Sequence, residues 1–128
     1  MDYGREDLVS FVDSANKSVF VSVQIETAAA LDAIDDIVSI EGLDSVVLGP
    51  MDLSGSLGLL GQLAHPKVED AMTRVIEAAL REGVYVGIGM AADRNLAQRW
   101  LDRGVHWVQL GCDFEYLLSG ARSAFAVR

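Results

Sequence analysis

Apolar residues recur at helical spacing from Glu6 to Ala15, at Leu8, Val9, Phe11, Val12 and Ala15, and Asn16 follows as a terminator. From Val19 to Ile25 the apolar character becomes nearly continuous and β-branched, the pattern of a strand covered on both faces. Thr27 is then placed to cap a helix over Ala28 to Ile40, which Gly42 closes. The same alternation repeats. Ser45 to Leu48 reads as a short strand, Gly49-Pro50 as a loop, and Val68 to Arg81 as a helix opened by Pro66 and closed by Gly83. Val84 to Ile88 reads as a strand and Gly89 to Ala92 as a loop, with Asp93 capping a helix from Arg94 to Arg103 that Gly104 ends. A fourth strand, His106 to Leu110, passes through Gly111-Cys112-Asp113 into a helix from Phe114 to Phe125. One domain over 1-128 is expected, with a leading helix in 1-17 and four βα units in 18-128.

Uninterrupted βα alternation predicts a parallel sheet with right-handed crossovers, either open and doubly wound or closed into a barrel. No Gly-x-Gly-x-x-Gly fingerprint follows the first strand. Gln24, Glu26, Asp52 and Asp113 fall at or beyond strand C-terminal ends, where both architectures place their sites. A barrel needs eight such units in about 250 residues, so this chain supplies half of one.

Composition narrows the partners. Ten basic against nineteen acidic residues give a formal charge of -9, a sign that repels phosphate backbones and anionic lipid, so neither nucleic acid nor membrane is expected as a partner. The acidic N-terminus does not resemble a signal peptide, no apolar run reaches the ~20 residues of a membrane span, and a cytoplasmic location is expected. The lone Cys112 has no Cys or His at ligand spacing and is read as a small buried apolar residue.

Glu26 ends the first strand and Asp52 lies just beyond the second; if those strands are neighbours, about 4.8 Å apart, the two carboxylates can together reach a hard cation, leaving coordination positions for water and substrate oxygens. Helix capping or simple solvation explains the same two residues. His65 before Pro66 reads as a cap or packing residue rather than a base, and His106 as structural. Asp113 is either the cap of the last helix or a support behind the metal, and Trp100 packs its helix.

The ordered motifs Gln24-Ile25-Glu26-Thr27, Gly42-Leu43-Asp44 and Gly49-Pro50-Met51-Asp52-Leu53-Ser54 resemble the paired signature of the HpcH/HpaI aldolase family. The likeness continues through His65-Pro66-x-Val68, Gly87-Ile88 and Gly111-x-Asp113, and includes Tyr3-Gly4 and Asn16. It implies an α/β fold, the C-terminal half of a (β/α)8 TIM barrel. It also implies a class II aldolase that cleaves 4-hydroxy-2-oxo acids to pyruvate and an aldehyde. Glu26 and Asp52 would hold Mg2+, Mn2+ or Co2+, and Gln24 would be their polar catalytic neighbour. Gly49, Pro50, Met51, Asp52 and Met90 would bind the pyruvate moiety or another small 2-oxo acid, with the backbone amides around Met51 and Asp52 receiving its carboxylate.

No Schiff-base lysine is needed, and Lys17 and Lys67 are expected far from the strand C-terminal ends. The family's proton-transfer histidine, its acidic partner and an arginine come from the first four strands. A homo-oligomer, or pairing with a complementary N-terminal half-barrel, is therefore expected. A metal and 2-oxo-acid binding module without turnover, and a truncated structural fragment, are the competing readings.

Overall fold

The computed structural model describes Gly4 and residues 7–126. Tyr3 and Glu6, which entered the resemblance and the first helix, lie outside the described residues. Helix α1 spans Leu8–Ser18, and β1 (Ser22–Ile25) leads to two short helices, α2 (Ala28–Asp32) and α3 (Ile34–Val38). Strand β2 (Ser45–Leu48) leads through α4 (Pro50–Ser56) to α5 (Pro66–Glu82), and β3 (Tyr85–Met90) to α6 (Arg94–Leu101). Strand β4 (Trp107–Leu110) precedes α7 (Asp113–Phe125). The strands form one parallel sheet in the order β1-β2-β3-β4, the arrangement of half a (β/α)8 barrel. No described helix is long and apolar enough to cross a membrane.

The core lies between the sheet and α3, α4 and α5. In register, Ile25, Leu48 and Ile88 form one row and Val46 and Val86 part of the row below, all buried against Leu53, Val68, Met72, Val75, Ile76 and Ala79. Each such aliphatic side chain withdrawn from water contributes about 1.5–3 kcal/mol before conformational entropy is charged. Helix α5 carries this layer because its apolar residues recur every three or four positions. Gly83, at φ 73°, ends it in a left-handed conformation that a β-carbon would strain.

Several boundaries differ from the sequence reading. Helix α1 runs through Asn16 to Ser18, because one mediocre helix former costs only tenths of a kcal/mol. Residues 19–21 are not strand: pairing begins at Ser22↔Ser45, and Val21 instead bonds Asp44, whose carboxylate accepts its N–H at 2.7 Å. The helix expected over Ala28 to Ile40 breaks at Ala33, with neither glycine nor proline to announce it. Gly49-Pro50 is not a loop but the start of α4, where proline sits in a first turn whose N–H needs no partner. Strand β3 continues through Gly89 and Met90, which pair with Gln109 and Leu110.

The largest difference concerns the second face of the sheet. Alternation along each strand puts the aliphatic residues under the helices and leaves Ser22, Gln24, Ser45, Val47, Tyr85, Gly87, Gly89, Trp107 and Gln109 on the other face. That face is polar, aromatic or glycine, with one aliphatic exception, so the expectation of strands apolar on both sides does not hold.

Candidate active site

Thr27 ends β1 by capping α2, its hydroxyl accepting the Ala30 N–H at 3.1 Å, and this leaves Glu26 at the C-terminal rim of the inner face. Gln24, two residues earlier on the same face, donates Nε2–H to Glu26 Oε2 at 2.7 Å. The pair leans over Gly49, where a β-carbon would lie 2.8 Å from Gln24 Nε2 and 3.2 Å from Glu26 Oε2. A side chain there would displace the Gln24 carboxamide and crowd the Glu26 β-carbon.

Gly49 also caps α4, its carbonyl accepting the Leu53 N–H, so Asp52 stands in the first turn, three residues from the glycine beneath Glu26. Buried Ser54 fixes this turn: its hydroxyl donates to the Met51 carbonyl at 2.7 Å and accepts the Gly61 N–H at 3.0 Å. Ser56 ties it to the start of α2 by accepting the Ala28 N–H at 2.9 Å.

The inner face is layered. At its N-terminal end Ser22, Ser45 and Tyr85 share one row. The next holds Gln24, Val47, Gly87 and Trp107. The Trp107 ring lies directly over Gly87, and its Nε1–H donates to Ser45 Oγ at 3.2 Å, which plugs this level. In the C-terminal row, continuing the register by one residue, Glu26 and Gln109 flank Gly49 and Gly89. Bulk therefore fills the lower levels and is withdrawn at the rim, leaving a trough between a carboxylate and a carboxamide.

The remaining candidates lie elsewhere. Pro50, Met51 and Met90 line a largely apolar cavity of about 340 Å3 together with Met72, Leu96 and Trp100. The structure thus divides the expected site into a polar rim of Gln24, Glu26 and Gly49 and an apolar pocket beside it. Among the described residues no cluster of three or more His, Cys, Asp or Glu is assembled for a metal, so Glu26 and Asp52 provide two carboxylates without a third protein donor of that kind.

His65 caps α5, its Nδ1 accepting the Lys67 N–H at 3.2 Å, and His106 Nδ1 accepts the Val86 N–H at 3.0 Å, so both are structural. Trp100 is buried, with the Arg103 guanidinium over its ring. Asp113 is the first residue of α7 rather than its cap. The cap is Cys112, exposed rather than buried, with Glu115 reaching back to its N–H at 2.9 Å. Lys67 stands in the first turn of α5, and helices that follow parallel strands start at the strand C-terminal end, so its expected remoteness from that end does not hold. Trp107 and Gln109 escaped the sequence reading, and Ser54 entered it only as part of a motif, without its role in fixing the turn. The period-2 alternation Trp107-Val108-Gln109-Leu110 was the signal for the first two.

A family profile described as HpcH/HpaI aldolase/citrate lyase matches residues 3–119. The chain is 36% identical over 114 residues to a hydroxypyruvate/pyruvate aldolase of Paraburkholderia phytofirmans, covering 89% of this chain and 44% of that protein. It is 37% identical over 118 residues to a 4-hydroxy-2-oxo-heptane-1,7-dioate aldolase of Escherichia coli, covering 92% and 44%. A solved HpcH/HpaI aldolase/citrate lyase family protein from Burkholderia cenocepacia superposes with a TM-score of 0.85 at 37% identity, over 90% of this chain and 44% of that one. The chain therefore spans less than half the length of these relatives.

Proposed function

The chain belongs to the HpcH/HpaI aldolase/citrate lyase family, and on that premise we propose that it is the C-terminal half-barrel of a divalent-metal-dependent aldolase cleaving 4-hydroxy-2-oxo acids to pyruvate and an aldehyde. The observation that carries the reading is the Glu26 carboxylate, held by Gln24 at the strand C-terminal rim and seated over the glycine that starts the Asp52 turn. Two hard oxygen donors with open positions beside them suit Mg2+, Mn2+ or Co2+ in a Lewis-acid role better than a structural ion, which would need a fuller protein shell. When bound, the cation draws electron density from the 2-oxo group and so eases cleavage of the C3–C4 bond.

The chain's own residues bind and orient. Gln24 holds one Glu26 oxygen and fixes the direction of the other. The Met51 and Asp52 amides, in a first turn that offers them no intrahelical acceptor, are donors for the substrate carboxylate. No lysine is required, since polarisation rather than imine formation activates the substrate. The proton on the 4-hydroxyl must leave as that bond breaks and another must reach C3. Groups for those transfers would come from the complementary half of the barrel.

Calorimetric titration of wild type, Glu26→Gln and Asp52→Asn with Mn2+ tests the assignment. One site in wild type, lost in either variant, is expected, whereas equal binding by all three removes both carboxylates from the reading.

A further inference from the structure

We infer that Gln109 is a specificity-determining residue that accepts a hydrogen bond from a hydroxyl on the aldehyde-derived end of the substrate; this rests on the aldolase reading above and deepens it. Gln109 lies in the C-terminal row of the inner face, paired with Gly89 and flanking the glycine trough on the side opposite Glu26. Its carboxamide folds inward over the trough: a β-carbon on Gly89 would meet Gln109 Oε1 at 3.0 Å. Glu26 leans over Gly49 from the other side in the same way. With neighbouring strands about 4.8 Å apart, these two clearances bring Glu26 Oε2 and Gln109 Oε1 within about 11 Å of each other. A 2-oxo acid of four to six carbons, extended from the metal-binding end, reaches across that gap.

The orientation of the carboxamide decides what it reads. Nε2–H donates to the Gly111 carbonyl at 3.2 Å, an acceptor that only the nitrogen can satisfy, so the oxygen faces the trough. Among the described residues no donor reaches Gln109 Oε1. An acceptor held in place recognises a donor, and on the aldehyde-derived end of a hydroxy-oxo acid, beyond the C4 hydroxyl that every such substrate shares, that donor is a further hydroxyl. An unsubstituted alkyl chain would leave the carboxamide oxygen unpaired in a pocket from which substrate expels water, which is how a polar site discriminates against analogues lacking the group.

Two measurements test this on the Mn2+-loaded protein in its native assembly. The first compares the dissociation constants of 2,5-dihydroxypentanoate and 2-hydroxypentanoate, unreactive acids that differ in the distal hydroxyl alone. Wild type should bind the dihydroxy acid at least tenfold more tightly. Gln109→Leu, of similar volume, should abolish the difference while leaving 2-hydroxypentanoate unaffected, and Gln109→Glu, which retains an acceptor, should preserve part of it. The second compares kcat/KM for aldol addition of pyruvate to glycolaldehyde and to acetaldehyde, where Gln109→Leu should lower the first at least tenfold with little change in the second. Equal binding of the two acids by wild type, or equal losses for both ligands in Gln109→Leu, overturns the inference. A hydroxyl preference in binding without turnover of either aldehyde sinks the aldolase reading and leaves the recognition role standing; binding of neither acid overturns both.

Discussion

Adding one methyl group at Gly87 should destabilise the protein, although the same change in an open strand would stabilise it by up to about 1 kcal/mol. The new carbon would sit 2.3 Å from the Trp107 ring, against an ordinary carbon contact of about 3.5–4 Å, so the indole must move by more than an ångström. Overpacking of this kind costs about 1–3 kcal/mol. The movement also takes Nε1 away from Ser45 Oγ, whose residue is 0% exposed, and a lost hydrogen bond to a buried hydroxyl adds about 1 kcal/mol. Gly87→Ala should therefore lose about 2–4 kcal/mol in all.

Urea unfolding followed by tryptophan fluorescence, at one protein concentration because association contributes to apparent stability, measures the loss as a fall of about 1–2 M in midpoint. The controls are Trp107→Leu and the double variant. With the indole gone, the second methyl has space, and Gly87→Ala should cost less than about 1 kcal/mol, a coupling that a double-mutant cycle isolates. A stabilised Gly87→Ala, or costs that simply add, would refute the plugged inner layer.

Three further outcomes are expected. Oxalate should bind only in the presence of the divalent cation, because the chain's charge of -9 opposes anions elsewhere; calorimetry showing metal-independent binding of equal strength contradicts the site. Asp7 caps α1 by accepting the Ser10 N–H and hydroxyl, both at 3.0 Å, and the Ser10 backbone bond first and its hydroxyl second hold the carboxyl below its ordinary 3.8. A depressed folded pKa means that the cap's contribution is complete above the unfolded value and fades as pH falls through the folded one, so the NMR helical shifts of Leu8–Ser18 should decline below about pH 4 in wild type and stay flat in Asp7→Asn. Light scattering at micromolar concentration should give at least a dimer mass, from copies of this chain or a complementary half, because Leu8, Val9, Phe114, Leu117 and Phe125 stand more than half exposed and every 100 Å2 of such surface left wet forgoes about 2.5 kcal/mol; a monomer with a cooperative melt contradicts this.

The order of elements was legible because hydrophobic period and helix punctuation agree along most of the chain: Thr27, Asp93, Gly83 and Pro66 act where their chemistry requires. The rim position of Glu26 followed from the end of a β-branched run and the Thr27 cap. Helix α4 was hidden, since Met51 to Ser56 contains Gly55 and two serines and has little intrinsic helix propensity. Its stability comes from tertiary contacts, chiefly buried Leu53 and the Ser54 hydrogen bonds, which no local window displays. The break at Ala33 is likewise unmarked in the sequence. Cys112 was misplaced because burial was inferred from residue type alone, while its position just before α7 exposes it.

The inner face is polar, aromatic and glycine-rich rather than aliphatic, and this changes what association has to satisfy. Had Val, Ile and Leu lined it, about 500 Å2 of exposed aliphatic surface would have cost about 12 kcal/mol, and collapse onto any apolar partner would have served. The face instead carries Ser45, Trp107, Gln24, Glu26 and Gln109, with side chains already satisfied by one another or directed over glycines. A complementary half-barrel placed on this face would have to meet those groups in register, supplying shape to the plugged lower layer and polar chemistry to the open rim. The nonspecific drive to associate comes from elsewhere, from the exposed segment ahead of β1 at Val19, Phe20 and Val21 and the unburied apolar faces of α1 and α7. Mutations on α1 or α7 should accordingly weaken assembly without altering what the rim recognises, while changes at Gly49, Gly89 or Gln109 alter recognition and leave the assembly's mass unchanged. Scattering and ligand titration on the same variants separate the two surfaces, and a Gln109 change that dissociates the assembly would show that they are one.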